Sequence, residues 1–471
     1  MYISVRDRPT TDRALAPADR AARPPVGRVV VVLGVVSMLT DISSESVAAI
    51  LPLYLTAVVG LTPVAYGLID GLYQGVSALV RLGGGWLADA ADRPKWVAFL
   101  GYGVDYSGGE INLNVTRSQD VTFESAVDPG FSGVGQALDG LADTNPLMQL
   151  VFVQVTSTAQ AQQALADMAG TMHADLRREL VDGSRHLRGA VAGRLADAPV
   201  GGNGWWAQAM DDHASLDAQA QWPGARMQRT GALVGYDMAF GDSRLGVAIG
   251  TGTGEYEVDG KPANADLRDR HVSLYGSTRM GPVRLGYGLG MSWTGIDSER
   301  SFAVGNVAQH LAGDRDARTA QLFVEAAHRI GKVDHRYLEP FVSLAHVRVS
   351  DGGFQESGGV AALAVDGGSV DANFATAGVR WSLGGEQVQL TGSVATRYTS
   401  GFDNEGAQVA FASGGDGFTI RGLPLDGSAI EMSIGGRFEL TDRARVWVGY
   451  ESLMADDADN DGLQLRFHLD L

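Results

Sequence analysis

From Asn203 to the C-terminus the chain alternates apolar residues with small or polar ones, and a period of two restricts that half to extended strands. The clearest stretch sets Val283, Leu285, Tyr287, Leu289, Met291 and Trp293 against Arg284, Gly286, Gly288, Gly290 and Ser292. Similar alternation marks Leu245/Val247/Ile249, Val388/Leu390/Val394, Ile430/Met432/Ile434, Val446/Val448/Tyr450 and Leu463/Leu465/Phe467/Leu469/Leu471. A soluble sandwich alternates too, but its strands usually run only about five or six residues. Here they are long enough to cross a bilayer at a tilt, which takes about 9–11 residues.

About twelve strands are predicted, near 204–212, 226–240, 243–256, 268–280, 282–297, 315–330, 336–350, 370–383, 386–400, 429–440, 444–453 and 461–471. Their connections alternate between long and tight, the tight ones at Gly241-Asp242, Gly281, Gly331 to Asp334, Gly384-Gly385 and Thr441-Asp442. Short periplasmic turns and longer external loops are the rhythm of an outer-membrane barrel. The expected fold is mainly β: a twelve-stranded antiparallel transmembrane barrel over 201–471, with both ends on the periplasmic side.

Upstream the period changes. Helical patterns run from Gly133 to Leu141 and from Ala159 to Leu195, the latter with Leu165, Met168, Met172, Leu176, Leu180, Leu187, Val191 and Leu195 on one face. The segment 146–200 is therefore expected to be a helical linker whose helix threads the pore. A short strand is expected at Ile111–Val115.

Two N-terminal hydrophobic helices are expected within 28–103, after a basic leader over 1–27. Arg6, Arg8, Arg13, Arg20, Arg23 and Arg28 precede the first, and Arg93 and Lys95 follow the second, so both ends of the pair face the cytoplasm. Trp96 to Gly103 is too short to span and reads as the stub of a third. The motifs Leu39-Thr40-Asp41-Ile42-Ser43-Ser44-Glu45 and Gly85-Trp86-Leu87-Ala88-Asp89 with Asp92-Arg93-Pro94-Lys95 resemble the opening of a major facilitator superfamily transporter. The resemblance singles out Asp41, Glu45, Gly85, Asp89, Arg93 and Lys95, and implies a loop bracing two halves of a helical bundle.

Residues 104–471 resemble autotransporters. The resemblance rests on Ala137-Leu138-Asp139, Ala161-Gln162-Gln163-Ala164-Leu165, Gly204-Trp205-Trp206-Ala207-Gln208, Glu339-Pro340-Phe341-Val342 and Phe354-Gln355-Glu356-Ser357-Gly358-Gly359, in that order. It implies a barrel that anchors in the bacterial outer membrane and passes an N-terminal passenger to the surface, with 104–145 as the passenger's tail. It also implies barrel-insertion machinery and periplasmic chaperones as partners, and a monomer. The insertion signal would be Leu465, Phe467, Leu469 and Leu471, although the family usually ends on Phe or Trp. Because paired helices would return the chain to the cytoplasm, the expectation is a fusion of a transporter start to an autotransporter end. The alternative is a transporter fragment joined to an inert barrel.

Other chemistry finds little support. The net charge is −18, the sum of +1 over residues 1–103 and −19 beyond them, and so acidic a body speaks against nucleic acid. The absence of cysteine removes thiolate chemistry and disulfides. Gly241-Asp242-Ser243 lacks a helix to carry a serine nucleophile. Asp457 to Gly462 matches half a calcium loop, but the position of its bidentate Glu holds His468. No enzyme activity and no cofactor are expected. Arg284 and Glu325 are expected to face the lumen.

Overall fold

A polar backbone in hydrocarbon must be satisfied internally, and closing the sheet on itself is the strand solution. The computed structural model describes residues 100–105, 112–117, 122–198, 202–219, 222–333, 335–402 and 406–471. All belong to one compact unit that begins at Lys95. The helices expected within 28–95, with Asp41, Glu45, Gly85, Asp89, Arg93 and Lys95, lie outside the described residues.

In chain order, a hairpin of β1 (Leu100–Asp105) and β2 (Asn112–Arg117) comes first. Five helices follow: α1 (Ser132–Asp139), α2 (Pro146–Gln154), α3 (Thr158–Met168), α4 (Met172–Gly183) and α5 (Arg185–Asp197). Then come β3 (Gly204–Leu216), β4 (Ala225–Phe240), β5 (Ser243–Val258), β6 (Ala263–Met280), β7 (Val283–Val304), β8 (Val307–His328), β9 (Ile330–Val333) and β10 (Arg336–Asp351). They are followed by β11 (Phe354–Gln355), β12 (Leu363–Val365), β13 (Gly368–Gly384), β14 (Val388–Ser400), β15 (Ala407–Phe411) and β16 (Phe418–Ile420). The last strands are β17 (Ser428–Glu439), β18 (Ala444–Ala455) and β19 (Ala458–Asp470).

Twelve of these strands form the wall: β3 to β8, β10, β13, β14 and β17 to β19, each antiparallel to its neighbours. The ring closes where β19 pairs with β3 from Ala458 opposite Leu216 down to Asp470 opposite Gly204. β9 is a short appendage on β10. At the tight end, Gly241 takes φ of 61° to reverse β4 into β5, a conformation costly for a residue with a Cβ.

The outward face divides into two zones. Next to the tight turns it is apolar and exposed, as at Val247 and Ile249, 53% and 63% exposed. Burying such a face in water's absence is the reason to place it against lipid. Farther along the same strands the outward residues become polar, among them Thr253, Glu255, Asp266, Asp297 and Asp314. The strands nevertheless keep pairing through their backbones.

This polar extension corrects two expectations. The long connections expected at 257–267, 298–314 and 454–460 shrink to turns at 259–262, 305–306 and 456–457, because strand pairing continues almost to the hairpin tips. Asp459 to Gly462 accordingly lie in a strand, extended where a calcium loop must turn. Among the described residues no group of three or more His, Cys, Asp or Glu side chains is placed to hold a metal.

The helical region differs as well. The single helix expected over Ala159–Leu195 is α3, α4 and α5, broken at Gly170, where φ is 65°, and at Ser184, whose hydroxyl donates to the Val181 carbonyl at 2.6 Å. The expected stub of a third membrane helix is overturned for Leu100–Gly103, which are strand and pair with Asn114–Arg117. The domain boundary at 103/104 therefore cuts a hairpin. Among the described residues no helix is long and apolar enough to cross a membrane.

Two large hydrophobic cores form among the described residues. One lies inside the barrel, where Leu176, Leu180, Leu187, Val191 and Leu195 meet the inward faces of the wall. The other lies at the loop end, where α1 to α3 pack on the four-stranded sheet of β11, β12, β15 and β16. Phe123, Leu138 and Leu165 there share a core with Leu363, Phe411 and Phe418. Residues 122–145, expected as a passenger's tail, are built into this cap.

Candidate functional site

The lumen is the candidate site, and α4 with α5 fills much of it. Together they span Met172 to Asp197, about 39 Å at 1.5 Å per residue. The small side of the β7 alternation makes the room. A Cβ at Gly290 would come within 2.8 Å of Leu187, and one at Gly286 within 3.2 Å of Leu195. On the plug, a Cβ at Gly183 would meet the Arg229 guanidinium at 2.9 Å and one at Gly193 that of Arg466 at 2.9 Å.

Ion pairs fix the plug at successive depths. Near the loop end, Arg177 donates twice to Asp351, both at 2.9 Å, and again to the Asp366 carbonyl. Asp175 accepts from the Leu423 amide at 2.6 Å and from the Tyr256 hydroxyl at 3.1 Å. At mid-depth, Arg185 bridges Asp182 and Asp212 while Arg397 reaches Asp182 at 3.1 Å. Toward the tight-turn end Arg194 donates to both oxygens of Asp237, at 2.7 and 2.9 Å. Asp197 pairs with Arg437, and Arg329 donates to the Ala196 carbonyl at 2.7 Å. These pairs compensate buried charges that would cost several kcal/mol if left unpaired.

The plug does not fill the ring evenly. A cavity of about 240 Å³ remains beside α5, bordered by Arg188, Phe341, Thr376, Ser433 and Arg466. Its lining mixes charged groups such as Arg188, Arg380 and Arg466 with apolar ones such as Phe341, Leu344 and Trp447.

At the loop end, beyond the apolar belt, the cap is tied to the plug by three side chains. Arg300 makes a bidentate pair with Glu356, at 2.6 and 2.7 Å, and His173 Nε2 lies 2.8 Å from the same carboxylate. Burial would push the Glu356 carboxyl up, but Arg300 and then His173 overcome this and hold it well below the usual range. Burial dominates for His173 and lowers its pKa, against the pull of Glu356.

The residues singled out from sequence fall as follows. Leu465 and Phe467 point outward from the closing strand β19, Leu471 just beyond it is exposed, and Leu469 is partly covered. They line the lipid-facing belt beside the β3 seam, and nothing brings them to the lumen. Arg284 and Glu325 do face inward, but they bond each other at 3.1 Å within a cluster that includes Glu339 and Arg380, rather than contacting the helix. Gly241-Asp242-Ser243 is the β4–β5 turn. Sequence reasoning missed the plug arginines Arg177, Arg185 and Arg194 and their wall partners; the cue was basic residues on a helix whose other face is apolar.

A twelve-stranded antiparallel barrel threaded by a helix that precedes its first strand is the translocator class of outer-membrane protein. The autotransporter β-domain family matches residues 205–451, more than half of the chain, and the chain belongs to that family. Among solved structures it is similar to the translocator domain of autotransporter NalP from Neisseria meningitidis, with a TM-score of 0.53 and 15% identity over 64% of this chain and 99% of that one. The Bordetella autotransporter BrkA β-domain aligns with a TM-score of 0.43 and 16% identity over 57% of this chain and all of that one. An extracellular serine protease of Serratia marcescens is 26% identical over 78% of this chain. The chain spans 41% of the length of that relative.

Proposed function

We propose that this barrel is an outer-membrane anchor and export device that delivers the segment N-terminal to its plug to the outer surface, without catalysis of its own. The observation that carries the reading is the path of the chain. Asp197 stands at the tight-turn end and Met172 at the loop end, and residues 122–168, packed in the cap, lie on the loop side. Passage needs no nucleotide on this reading, because the strands close around a chain already inside or beside them. Barrel-insertion machinery and periplasmic chaperones are the expected partners, with the outward residues of β19 as the recognition face. The serine-protease name of the Serratia relative makes an exported hydrolase one class of cargo for which such a barrel suits.

The test is topological. In intact Gram-negative cells expressing the full chain, an epitope inserted at Asp143 should be reached by antibody. One inserted at Asp442 should be reached only after the outer membrane is permeabilised. Equal access to both, or access to Asp442 alone, would sink the reading.

A further inference from the structure

Three outward-facing residues occupy one cross-strand row at the edge of the apolar belt. Arg270 on β6 is directly opposite Trp293 on β7, and Trp293 is directly opposite Arg318 on β8. All three are exposed, Trp293 by 42%. On the membrane side of this row stand Val272, Leu274, Leu289, Met291 and Leu322, all exposed to lipid. On the other side stand Arg268, Asp316, Asp266, Asp297 and Asp314, where no hydrocarbon face remains. The row therefore lies at headgroup depth on the loop side, where an interfacial Trp belongs.

The pairing of the arginines sets this row apart. The outward Arg226, Arg268 and Arg348 are each in an ion pair, with Asp259, Asp297 and Asp371 respectively. Among the described residues the side chains of Arg270 and Arg318 make no hydrogen bond, ion pair or ring contact. Asp316 faces the same way two residues farther out but does not bond Arg318, and Asp266 and Asp314 lie higher still. The unpaired positive charge of this face is thus confined to one row, two arginines whose backbones lie about 10 Å apart across two strand spacings with an indole between them. A guanidinium binds phosphate bidentately, and an indole at this depth packs on the sugar or acyl portion of the same lipid.

We propose that Arg270, Trp293 and Arg318 form a binding site for the phosphate groups of the glycolipid in the outer leaflet. This rests on the outer-membrane reading above and adds a specific lipid contact to it. The site is continuous with the belt that lipid already covers, and its charge complements the phosphorylated headgroup rather than a protein partner.

The experiment uses the full chain, folded into detergent micelles and examined by native mass spectrometry with added lipid A. Folding is verified by the mobility shift of the unheated barrel on gels. Retention of lipid A should fall at least tenfold in the Arg270→Gln/Arg318→Gln double variant and on removal of the lipid's phosphates. It should persist in Arg270→Lys/Arg318→Lys and in Arg443→Ala, a control in the opposite turn. Phosphatidylglycerol should be retained equally by all variants, and inorganic phosphate should not displace lipid A. Equal retention by a folded Gln variant, or indifference to the lipid's phosphates, would overturn the site while leaving the barrel reading intact. A chain that never shows the gel shift of a folded barrel would overturn both.

Discussion

Arg194 of the plug and Asp237 of β4 form a two-pronged ion pair with both side chains wholly shielded from solvent. Asp237 also accepts from the Tyr275 hydroxyl at 3.0 Å and pairs with Arg244, while Trp206 donates to Tyr275 at 2.6 Å. Removing either partner therefore has unequal consequences. Arg194→Ala leaves Asp237 with Arg244 and Tyr275, whereas Asp237→Ala takes a carboxylate from two arginines at once and leaves Arg194 only the longer contact to Asp470 at 3.8 Å. We expect Asp237→Ala to destabilise the plugged barrel by about 3–5 kcal/mol and Arg194→Ala by less. Thermal loss of the compact gel form, measured for both singles and the double, checks this; additive losses would contradict the shared network.

Gly290 makes space for Leu187. Gly290→Val should loosen the plug at a cost of about 1–3 kcal/mol through overpacking. Leu187→Ala in the same chain should recover part of that loss. Ion conductance through single barrels in planar bilayers reads the result: higher for Gly290→Val, and closer to the parent for the double variant.

The cap should weaken in acid in two stages. His173 resists protonation in the folded cap, whereas in the unfolded chain it titrates near its ordinary 6.5. Below that pH the unfolded state binds more protons, so stability falls with pH by up to about 1.4 kcal/mol per unit. Glu356, whose pKa is depressed, contributes stability above its ordinary 4.5 that is lost as pH falls through its lower folded value. The hydrogen-exchange protection factors of α3 amides, measured against the intrinsic rate at each pH, should therefore fall between pH 6.5 and 5. His173→Gln should flatten that first stage and leave the second.

The closing strand offers a membrane test. Phe467 faces lipid midway along the exposed run of Leu463 to Leu471. Phe467→Lys should cost about 2–4 kcal/mol near the bilayer midplane and reduce the assembled fraction in cells. Gln464→Ala, on the lumen side of the same strand, should assemble normally.

The wall was legible because every strand writes its two faces into alternate positions. All twelve strands lie where the alternation puts them, and the five tight connections separate the expected strand pairs. The outer ends were less legible: beyond Trp293 the outward residues turn polar, so a criterion based on greasy faces stops while backbone pairing runs on to Val304. The plug helix was visible in its leucine spacing, but its breaks at Gly170 and Ser184 were not, since apolar spacing carries across them. The ion-pair ladder depends on which wall residue meets each arginine, and that follows from strand register around a closed ring. A linear pattern holds no record of it. The cap was the least visible part, because Phe123 and Leu138 find their partners at Phe411 and Phe418, almost three hundred residues later.

That long-range partnership gives the barrel a direction. Its outer core is made jointly by a stretch that precedes the threaded helix and by loops that follow it, so neither contributor can bury its aromatic residues until the earlier stretch has come through. Once the cap has assembled, sliding the thread inward would first require that core to melt. The molecule thus carries its own knot at the end of the string.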